Sequence, residues 1–389
     1  MELPAAQKEL LRRVILIVLD GCGVGALPDA AEYGGTAECL SATLPHVAEA
    51  AGGLCLPTLQ SLGLGNIAAI KGVAPMSNAL GGWGKLAEAS AGKDSVTGHW
   101  ELMGIMTKMP FPTYPNGFPS ALIAEFESKI GRGTLGNFAS SGTAVLTKFG
   151  AEHIKTGKLI VYTSADSVFQ VAAHESVVPL SELYALCETA RDMLIVPNNV
   201  QRVIARPFAG DSPENFTRTE HRRDYPLPPP VPNFLSVLAD AGKTAHAIGV
   251  IADLFPITYF ARGERTQSNS ACLASILEAV QNGREDFVFA NCEDFDMLYG
   301  HRNDSHGFAR ALEAFDAALV GILEALRLDD LLILTADHGN DPTTASTDHS
   351  REYVPLLVHG GGIGGDLGTR PAFAAVSSLT ADWLGVPWK

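Results

Sequence analysis

Short runs of apolar residues recur along the chain, and each has the length of a buried β-strand. The runs are Val14–Leu19, Leu159–Tyr162, Thr244–Val250, Phe287–Ala290, Leu331–Thr335 and Val354–Val358. A strand covered on both faces is apolar throughout, so these segments predict buried parallel strands. A helical stripe of apolar positions is clearest from Phe308 to Leu326. Strands that alternate with helices predict an α/β fold with a mostly parallel sheet flanked by helices.

A proline-rich stretch interrupts this alternation. Residues 227–232 read LPPPVP, and proline fits neither a helix interior nor a central strand. We therefore predict a stiff linker and a domain boundary there. A chain of 389 residues also favours two domains, at about 100–200 residues each.

Composition and charge narrow the class of protein. The chain is 46% hydrophobic and 18% charged, with a formal net charge of −15, so neither nucleic acid nor an anionic membrane is expected as a partner. The six cysteines form no C-x-x-C pair. Residues 1–13 are polar, and no run approaches the roughly 18 apolar residues of a membrane span. We expect a cytoplasmic protein with reduced cysteines.

Acidic and histidine residues follow three of the predicted strands. They are Asp20 after the first, Asp294, Asp296 and His301 after the fourth, and Asp337, His338, Asp341 and His349 after the fifth. Ligands of such folds bind beyond the carboxyl ends of the strands. Asp and His together suit Mn²⁺ or Zn²⁺, and clustered carboxylates need a compensating cation. Taken singly, Asp20 is equally well a turn residue or a helix cap, and a lone His is more simply a core or surface residue.

A polar segment, GKDSVTGHWE at residues 92–101, adds two hydroxyls, Ser95 and Thr97. By itself it is explained by a Ser or Thr that caps a helix. Metal coordination is one way to turn a serine hydroxyl into a nucleophile, and a second metal would stabilise the leaving oxygen. Together with the acidic clusters, the segment predicts an enzyme that transfers phosphoryl groups with two metal ions.

Long stretches of the chain resemble one family. They read VLDGCGVGALPDA, GKDSVTGHWELMG, LIVYTSADSVFQVAAHE, RVIARPFAG, NFTRTEHRRDY, EDFDMLYGHRND and TADHGNDPTTASTDHSREYVPLL. In this order the chain resembles the phosphopentomutases of the alkaline phosphatase superfamily. The resemblance implies an alkaline-phosphatase-like catalytic core that binds metal, residues 1–107 and 229–389. It also implies a smaller inserted α/β cap domain, residues 108–228, that binds substrate.

The resemblance also implies roles for individual residues. One Mn²⁺ would be held by Asp20, Asp337, His338 and the Ser95 hydroxyl, and the other by Asp296, His301 and His349. Ser95 would be the catalytic nucleophile, where the family usually has Thr, and Thr97 is the fallback. Substrate contacts would come from Ser164, Asp166, Val168, Arg202 and Ile204, with Arg206, Arg218 and Lys93 as further basic candidates. A salt bridge for Arg202 and a turn for Asp166 are the simpler alternatives.

The implied reaction interconverts ribose 1-phosphate, or deoxyribose 1-phosphate, and the corresponding 5-phosphate. Ser95 would carry the phosphoryl group, with two Mn²⁺ or other divalent ions as cofactors. A sugar bisphosphate would activate the enzyme.

Some positions depart from the family's pattern. Val250 stands where the family has a lysine that binds substrate phosphate, and Arg262 and Arg265 are the cations nearby in sequence. Residues 41–49 and the loop after Asp253 also differ. One alternative is therefore a paralogous mutase or a phosphatase that acts on another small phosphorylated sugar. A second is a binding protein without catalysis, which need not hold two metal ions.

Overall fold

The computed structural model describes residues 12–164 and 167–388. Their contacts divide the chain into two compact units, of which residues 110–228 form one and the segments before and after them form the other. We call these the inserted unit and the core unit. Within the core unit, the segments that lead into and out of the insertion are joined directly, because Phe234 N donates to Met103 O at 3.0 Å.

The strands of the described residues are β1 (Arg13–Leu19), β2 (Gly82–Leu86), β3 (Thr134–Ala139), β4 (Leu159–Thr163), β5 (Val168–His174), β6 (Arg202–Ala209), β7 (Thr217–Arg218), β8 (Arg223–Pro226), β9 (Ala245–Ile248), β10 (Arg262–Glu264), β11 (Phe287–Cys292), β12 (Asp330–Thr335), β13 (Val354–His359) and β14 (Gly365–Arg370). The α-helices are α1 (Ala31–Gly34), α2 (Thr43–Ala50), α3 (Pro57–Leu62), α4 (Leu64–Ile67), α5 (Ser95–Leu102), α6 (Ser120–Ile130), α7 (Gly142–Thr156), α8 (Leu180–Met193), α9 (Phe234–Asp240), α10 (Ile251–Leu254), α11 (Asn269–Asn282), α12 (Ser305–Ala325) and α13 (Ala375–Leu384). Short 3₁₀ helices span Gly35–Leu40, Ile257–Tyr259 and Gly300–Arg302, and a π-helix spans Phe295–Tyr299.

The core unit contains an eight-stranded sheet in the order β10-β9-β11-β1-β12-β13-β2-β14. All its strands run in one direction except β13, which is antiparallel to both neighbours. The predicted α/β class with a mostly parallel sheet is confirmed. The prediction that Val354–Val358 is a parallel strand is wrong. An apolar run reports burial on both faces, not direction, and no helix crosses over between β12 and β13 as a parallel connection requires.

The strands that carry the predicted clusters are neighbours. Strand β1 is buried along its whole length and lies between β11 and β12, parallel to both. Helix α11 packs on β11, and α13 packs on β1. Three adjacent parallel strands therefore end at one edge of the sheet.

Two predicted elements differ in their bounds from the sequence expectation. Helix α12 begins at Ser305 rather than Phe308, because Asp304 caps it by accepting from Gly307 N at 2.8 Å. Strand β9 is shorter than predicted and ends at Ile248. Gly249 turns the chain there with φ +78°, and a Cβ at this position would lie 2.6 Å from Asn291 O.

The inserted unit is a mixed sheet with an apolar core on each face. Its strand order is β3-β4-β5-β6-β7, and β8 also pairs with β6. Alternation along β4 fills both cores, since Leu159 and Val161 lie on the α6–α8 side, and Ile160 and Tyr162 lie on the α7 side. The unit is thus an α/β structure with its own interior.

One buried guanidinium fixes a loop of the core unit. Arg351 donates to the carbonyl oxygens of Glu88, Ser90 and Gly92 at 2.9, 2.7 and 2.7 Å. It also forms ion pairs with the carboxylates of Asp29 and Glu88 at 2.9 and 2.8 Å. Burial raises the pKa of Glu88 well above its ordinary value, against the opposing effect of Arg351. Arg351 therefore compensates a carboxylate that the fold removes from water.

Among the residues that the structure describes, none of the helices combines the length and the hydrophobicity that a bilayer crossing requires.

We predict that Arg351→Met destabilises the protein strongly. The substitution removes the hydrogen bonds of Arg351 and leaves the Glu88 carboxylate buried without its partner. This loss costs roughly 3–5 kcal/mol of unfolding free energy. Urea denaturation measures the loss. The double variant Arg351→Met/Glu88→Gln has no unpaired buried carboxylate at position 88, and only the partly exposed Asp29 still lacks its partner, so part of the loss should be recovered. Equal instability of the single and double variants would contradict the role given to the ion pair.

A second prediction concerns pH and the inserted unit. His153 is buried, its Nδ1 lies 2.6 Å from Lys158 O, and its Nε2 accepts from His174 N at 2.9 Å. Burial lowers its pKa, although the Lys158 carbonyl acts in the opposite sense. The folded state then binds fewer protons than the unfolded state, so stability falls as pH drops from about 6.5 toward the lower folded pKa.

Nitrogen-15 NMR of labelled histidine should show His153 as the neutral Nδ1–H tautomer with a titration midpoint below about 6.5. The stability difference between the natural protein and His153→Gln should shrink as the pH falls through this range. A midpoint at or above the ordinary value would refute the assignment.

Candidate active site

The three predicted clusters meet at the edge where β11, β1 and β12 end. Asp20 follows β1, Asp296 lies in the π-helix after β11, and Asp337 and His338 follow β12. These four side chains are buried. The strand order thus brings together residues that are more than 250 positions apart in sequence.

The first cluster comprises Asp20, Asp337, His338 and Ser95. Ligand atoms of the two carboxylates and the imidazole lie within 4.8 Å of one another. His338 Nε2 lies 3.5 Å from Asp20 Oδ1, 3.2 Å from Asp337 Oδ2 and 3.0 Å from Ser95 Oγ. His338 Nδ1 lies 3.1 Å from Gly339 O, which can only accept. The hydrogen is therefore on Nδ1, and Nε2 turns its lone pair toward the cluster.

Ser95 is the first residue of α5, and its neighbour Asp94 is the cap. Asp94 accepts from Thr97 N at 3.0 Å and from Thr97 Oγ1 at 2.7 Å. The hydroxyl of Thr97 is thus committed to the cap, whereas that of Ser95 faces His338. The helix approaches the β12 loop closely, because a Cβ on Gly98 would lie 2.1 Å from Asp337 O.

The loop that leads into α5 is fixed from two sides. Arg351 holds three of its carbonyl oxygens, as described above. Glu101, at the other end of the helix, accepts from Ala89 N and Ser90 N at 2.9 and 2.6 Å. In the loop before Ser95, Arg351 thus binds backbone carbonyl oxygens and Glu101 binds backbone N–H groups, which holds the loop in place.

The second cluster comprises Asp296, His301 and His349. His301 Nε2 lies 3.0 Å from Asp296 Oδ2, and His349 Nε2 lies 3.7 Å from Asp296 Oδ1. His338 belongs to this cluster as well, because its ligand atom lies within 4.8 Å of those of Asp296 and His349. The sequence separated the two ligand sets, whereas the geometry joins them through His338.

The donor set fits divalent cations. Asp20 Oδ1 is buried and accepts no hydrogen bond from the part of the chain that the structure describes. Asp337 Oδ2 lies 3.2 Å from His99 Nδ1, whose hydrogen is directed to Ser95 O at 2.7 Å. Burial, and then the charges of Asp337 and Asp296, raise the pKa of Asp20 well above its usual range. Unpaired carboxylate oxygens and an imidazole lone pair converge here, an arrangement that a cation stabilises.

The second carboxylate is balanced differently. Burial would raise the pKa of Asp296, but the charge of His349 and a hydrogen bond from His301 outweigh it, and the pKa lies well below its usual value. Asn340 Nδ2 also donates to Asp296 Oδ1 at 2.5 Å. Asp296 therefore stays ionised in a buried position.

Sequence reasoning missed the residues that orient the ligands. Asn291 Nδ2 donates to Asp20 Oδ2 at 2.7 Å, and Asn340 Nδ2 donates to Asp296 Oδ1 in the same way. His99 contacts both Ser95 and Asp337. Asn291 could have been recognised from the sequence, because it lies inside the apolar strand FVFANC and a buried amide needs hydrogen-bond partners. Asp341, in contrast, has a structural role away from the clusters. It accepts a hydrogen bond from Ala42 N and lies 2.6 Å from His46 Nδ1.

The predicted substrate residues lie in the inserted unit at one end of its sheet. Ser164 follows β4, while Val168 begins β5 and pairs in register with Arg202 at the start of β6. Val168 and Ile204 are buried. Arg202 Nη1 lies 3.7 Å from Asp224 Oδ2, and its buried Nε has no hydrogen-bond partner among the residues that the structure describes. Asp166 lies outside the described residues.

The other basic candidates already have partners. Arg206 Nε donates to Gln170 Oε1 at 3.0 Å, and burial lowers its pKa to about 10. Arg218 bonds Tyr162. Lys93 Nζ lies 3.1 Å from an oxygen of Asp348.

The cations near Val250 are paired too. Val250 precedes α10 at the end of β9. Arg262 forms ion pairs with Glu264 and Glu278. Arg265 forms one with Asp253.

The chain is similar to known proteins over almost its whole length. The family model for the metalloenzyme superfamily matches residues 12–387. The phosphopentomutase of Caldanaerobacter subterraneus subsp. tengcongensis is 52% identical over 379 residues, which cover 97% of this chain and 95% of that protein. The phosphopentomutase of Symbiobacterium thermophilum is 50% identical over 383 residues, which cover 97% and 96%.

A solved structure shares the fold. The PH0037 protein from Pyrococcus horikoshii superposes with a TM-score of 0.51 at 18% identity, covering 97% of this chain and 98% of that one. Membership of the superfamily and the converging donor set together support the use of divalent metal. From its match to the superfamily and its identity to curated relatives over almost its whole length, the chain belongs to the phosphopentomutase family of the metalloenzyme superfamily.

Proposed function

We propose that this protein is a phosphomutase that interconverts ribose 1-phosphate, or deoxyribose 1-phosphate, and the corresponding 5-phosphate. The observation that carries the proposal is the Ser95 hydroxyl, 3.0 Å from His338 Nε2 beside the unpartnered carboxylate oxygen of Asp20. A capped helix start and a fixed loop hold this hydroxyl at the edge of the sheet. We expect the enzyme to act in the cytoplasm, with the core unit as the catalytic domain and the inserted unit as the substrate domain.

Two sets of residues would hold two Mn²⁺ or other divalent ions. Asp20, Asp337, His338 and the Ser95 hydroxyl form one set, and Asp296, His301 and His349 form the other. When bound, the ions would neutralise charge on the transferring phosphoryl group and favour the serine alkoxide. Asn291 and Asn340 keep the carboxylates of Asp20 and Asp296 in place for this task.

In the proposed cycle the phosphoryl group moves between Ser95 and the sugar. Phosphorylated Ser95 gives its phosphoryl group to the free sugar hydroxyl, which loses a proton, and the Ser95 hydroxyl is restored. The resulting bisphosphate then transfers its other phosphoryl group to Ser95 and leaves as the isomeric monophosphate. A sugar bisphosphate starts the cycle in the same way, by phosphorylating Ser95.

We infer that Ser164, Asp166, Val168, Arg202 and Ile204 of the inserted unit bind the sugar phosphate. The buried Nε of Arg202, which has no partner among the described residues, supports this role, because a guanidinium donor suits a phosphate oxygen.

A second candidate function rests on Val250. Because Val250 carries no charge and both nearby arginines are already in ion pairs, the protein is alternatively a mutase or phosphatase for another small phosphorylated sugar.

We predict that the protein, supplied with Mn²⁺ and a catalytic amount of glucose 1,6-bisphosphate, interconverts ribose 1-phosphate and ribose 5-phosphate without releasing phosphate. Phosphorus-31 NMR follows both sugars and free phosphate in one sample. Release of phosphate would indicate a phosphatase, and a phosphorylated Ser95 that leaves ribose phosphates unchanged would indicate another sugar.

Ser95→Ala should abolish the phosphoenzyme, whereas Ser95→Thr should retain it, because threonine keeps a hydroxyl in the same place. Thr97→Val serves as the matched control, since the Thr97 hydroxyl donates to the capping carboxylate of Asp94 and not to the cluster. A phosphoenzyme in Ser95→Ala that is absent from Thr97→Val would transfer the nucleophile role to Thr97.

We also predict an unequal effect of two histidine substitutions on metal content. His338 contacts both clusters, so His338→Ala should weaken the binding of both Mn²⁺ ions, by roughly tenfold or more. Of the candidate metal ligands, His301 contacts Asp296 and His349, which both belong to the second cluster, so His301→Ala should weaken one ion. Calorimetric titration of the metal-free variants with Mn²⁺ separates the two. An unaltered second ion in His338→Ala would mean that His338 serves a single metal.

A further inference from the structure

A groove lies between α11 and α12 in the core unit, outside both ligand clusters. It encloses about 460 Å³, a volume within the range of small-molecule sites. Its floor includes the buried side chains of Leu273, Phe315 and Ile322, and its rim includes Ala274, Ala314 and Ala318. We call it the α11–α12 groove.

Small residues open this groove. Ala311, Ala314 and Ala318 follow one another at helical spacing on the face of α12 that meets α11. Ala274 faces them from α11. Larger side chains at these positions would fill the space between the helices, as the leucine and phenylalanine residues do deeper in the core.

An unpartnered donor lines the groove. Asn269 is 8% exposed, and within residues 12–164 and 167–388 its Nδ2 has no hydrogen-bond partner. The rest of its polar atoms are satisfied, because Asn269 Oδ1 accepts from Asp294 N at 3.0 Å and Asn269 N donates to Asp294 Oδ2 at 2.7 Å. A buried amide N–H₂ without a partner is unfavourable, and an acceptor on a ligand would supply the missing hydrogen bond.

Charge selects the class of ligand. Asp294 lines the groove, and no lysine or arginine is among the lining residues. An anion would therefore meet a carboxylate without a compensating cation. The walls are otherwise mainly apolar, as in sites that bind small uncharged molecules.

We propose that the α11–α12 groove binds a neutral, mainly apolar small molecule that offers one hydrogen-bond acceptor to Asn269 Nδ2. The site goes beyond the proposed function and does not depend on it. It lies beside the segment that carries Asp296, because the lining residues Asp294 and Tyr299 are located at the two ends of the π-helix.

The test uses 2-acetylnaphthalene as the probe. The control is 2-ethylnaphthalene, which has nearly the same shape but lacks the carbonyl acceptor. Nitrogen-15 NMR of the full chain should show a saturable shift of the Asn269 side-chain amide with the ketone. The amide is assigned by its loss in Asn269→Asp, which keeps Oδ1 for Asp294. The hydrocarbon should bind roughly fivefold to tenfold more weakly, because it leaves Nδ2 unpaired.

Filling the groove provides the second arm. Ala274→Leu/Ala318→Leu places methyl groups in the groove and should abolish ketone binding, whereas Ala317→Leu, on the same helix but not lining the groove, should leave it unchanged. Thermal melting establishes that each variant folds. Unaltered binding in the filled variant, or equal affinity for the two probes, would overturn the proposal. Self-association of the chain that the filled variant abolishes would overturn it too, since the groove would then receive a second copy.

Discussion

The core unit depends on one electrostatic constraint, the convergence of buried carboxylates at a single sheet edge. Asp20, Asp296 and Asp337 belong to three segments that the order β11-β1-β12 forces together. Burial of like charges is unfavourable unless hydrogen bonds or cations offset it. Asparagine amides and histidine imidazoles offset part of this cost by hydrogen bonding to the carboxylates. The remaining unpaired oxygens and the lone pair of His338 suit a cation, and the match of the chain to the metalloenzyme superfamily is consistent with that.

The same constraint shapes the residues around the ligands. The carboxylate of Glu352, itself buried, accepts from Thr43 Oγ1 and Ser350 Oγ, and Asn340 N donates to Thr43 Oγ1. The chain thus links the loop after β12 to the start of α2 through a continuous polar network. Such networks hold a ligand set rigid because each member fixes the next.

Much of the core unit could be predicted from the sequence, and the reasons are local. Continuous apolar runs such as VILIVL report burial on both faces of a sheet, and a polar residue after each run reports a strand end. The antiparallel course of β13 could not be predicted, because direction is set by the connection and not by the run. Glycine-rich β2 and the two-residue β7 carry little apolar pattern, so the sequence does not predict them. The predicted strands also leave out β5 and β6, where Gln170 and Arg206 interrupt the apolar residues. The sharing of His338 depends on distances between loops that no spacing in the sequence encodes.

The backbone hydrogen bond between Met103 and Phe234 shows that the two ends of the insertion lie close together, and this closeness bears on how the protein can evolve. The chain leaves the core unit and returns to it at neighbouring points, so the intervening 119-residue segment, Pro110–Pro228, is topologically a long loop. No strand of the eight-stranded sheet comes from that segment. Selection can therefore reshape or exchange the insertion while the metal-bearing sheet edge is inherited unchanged, which makes the insertion a natural module for diversification among relatives.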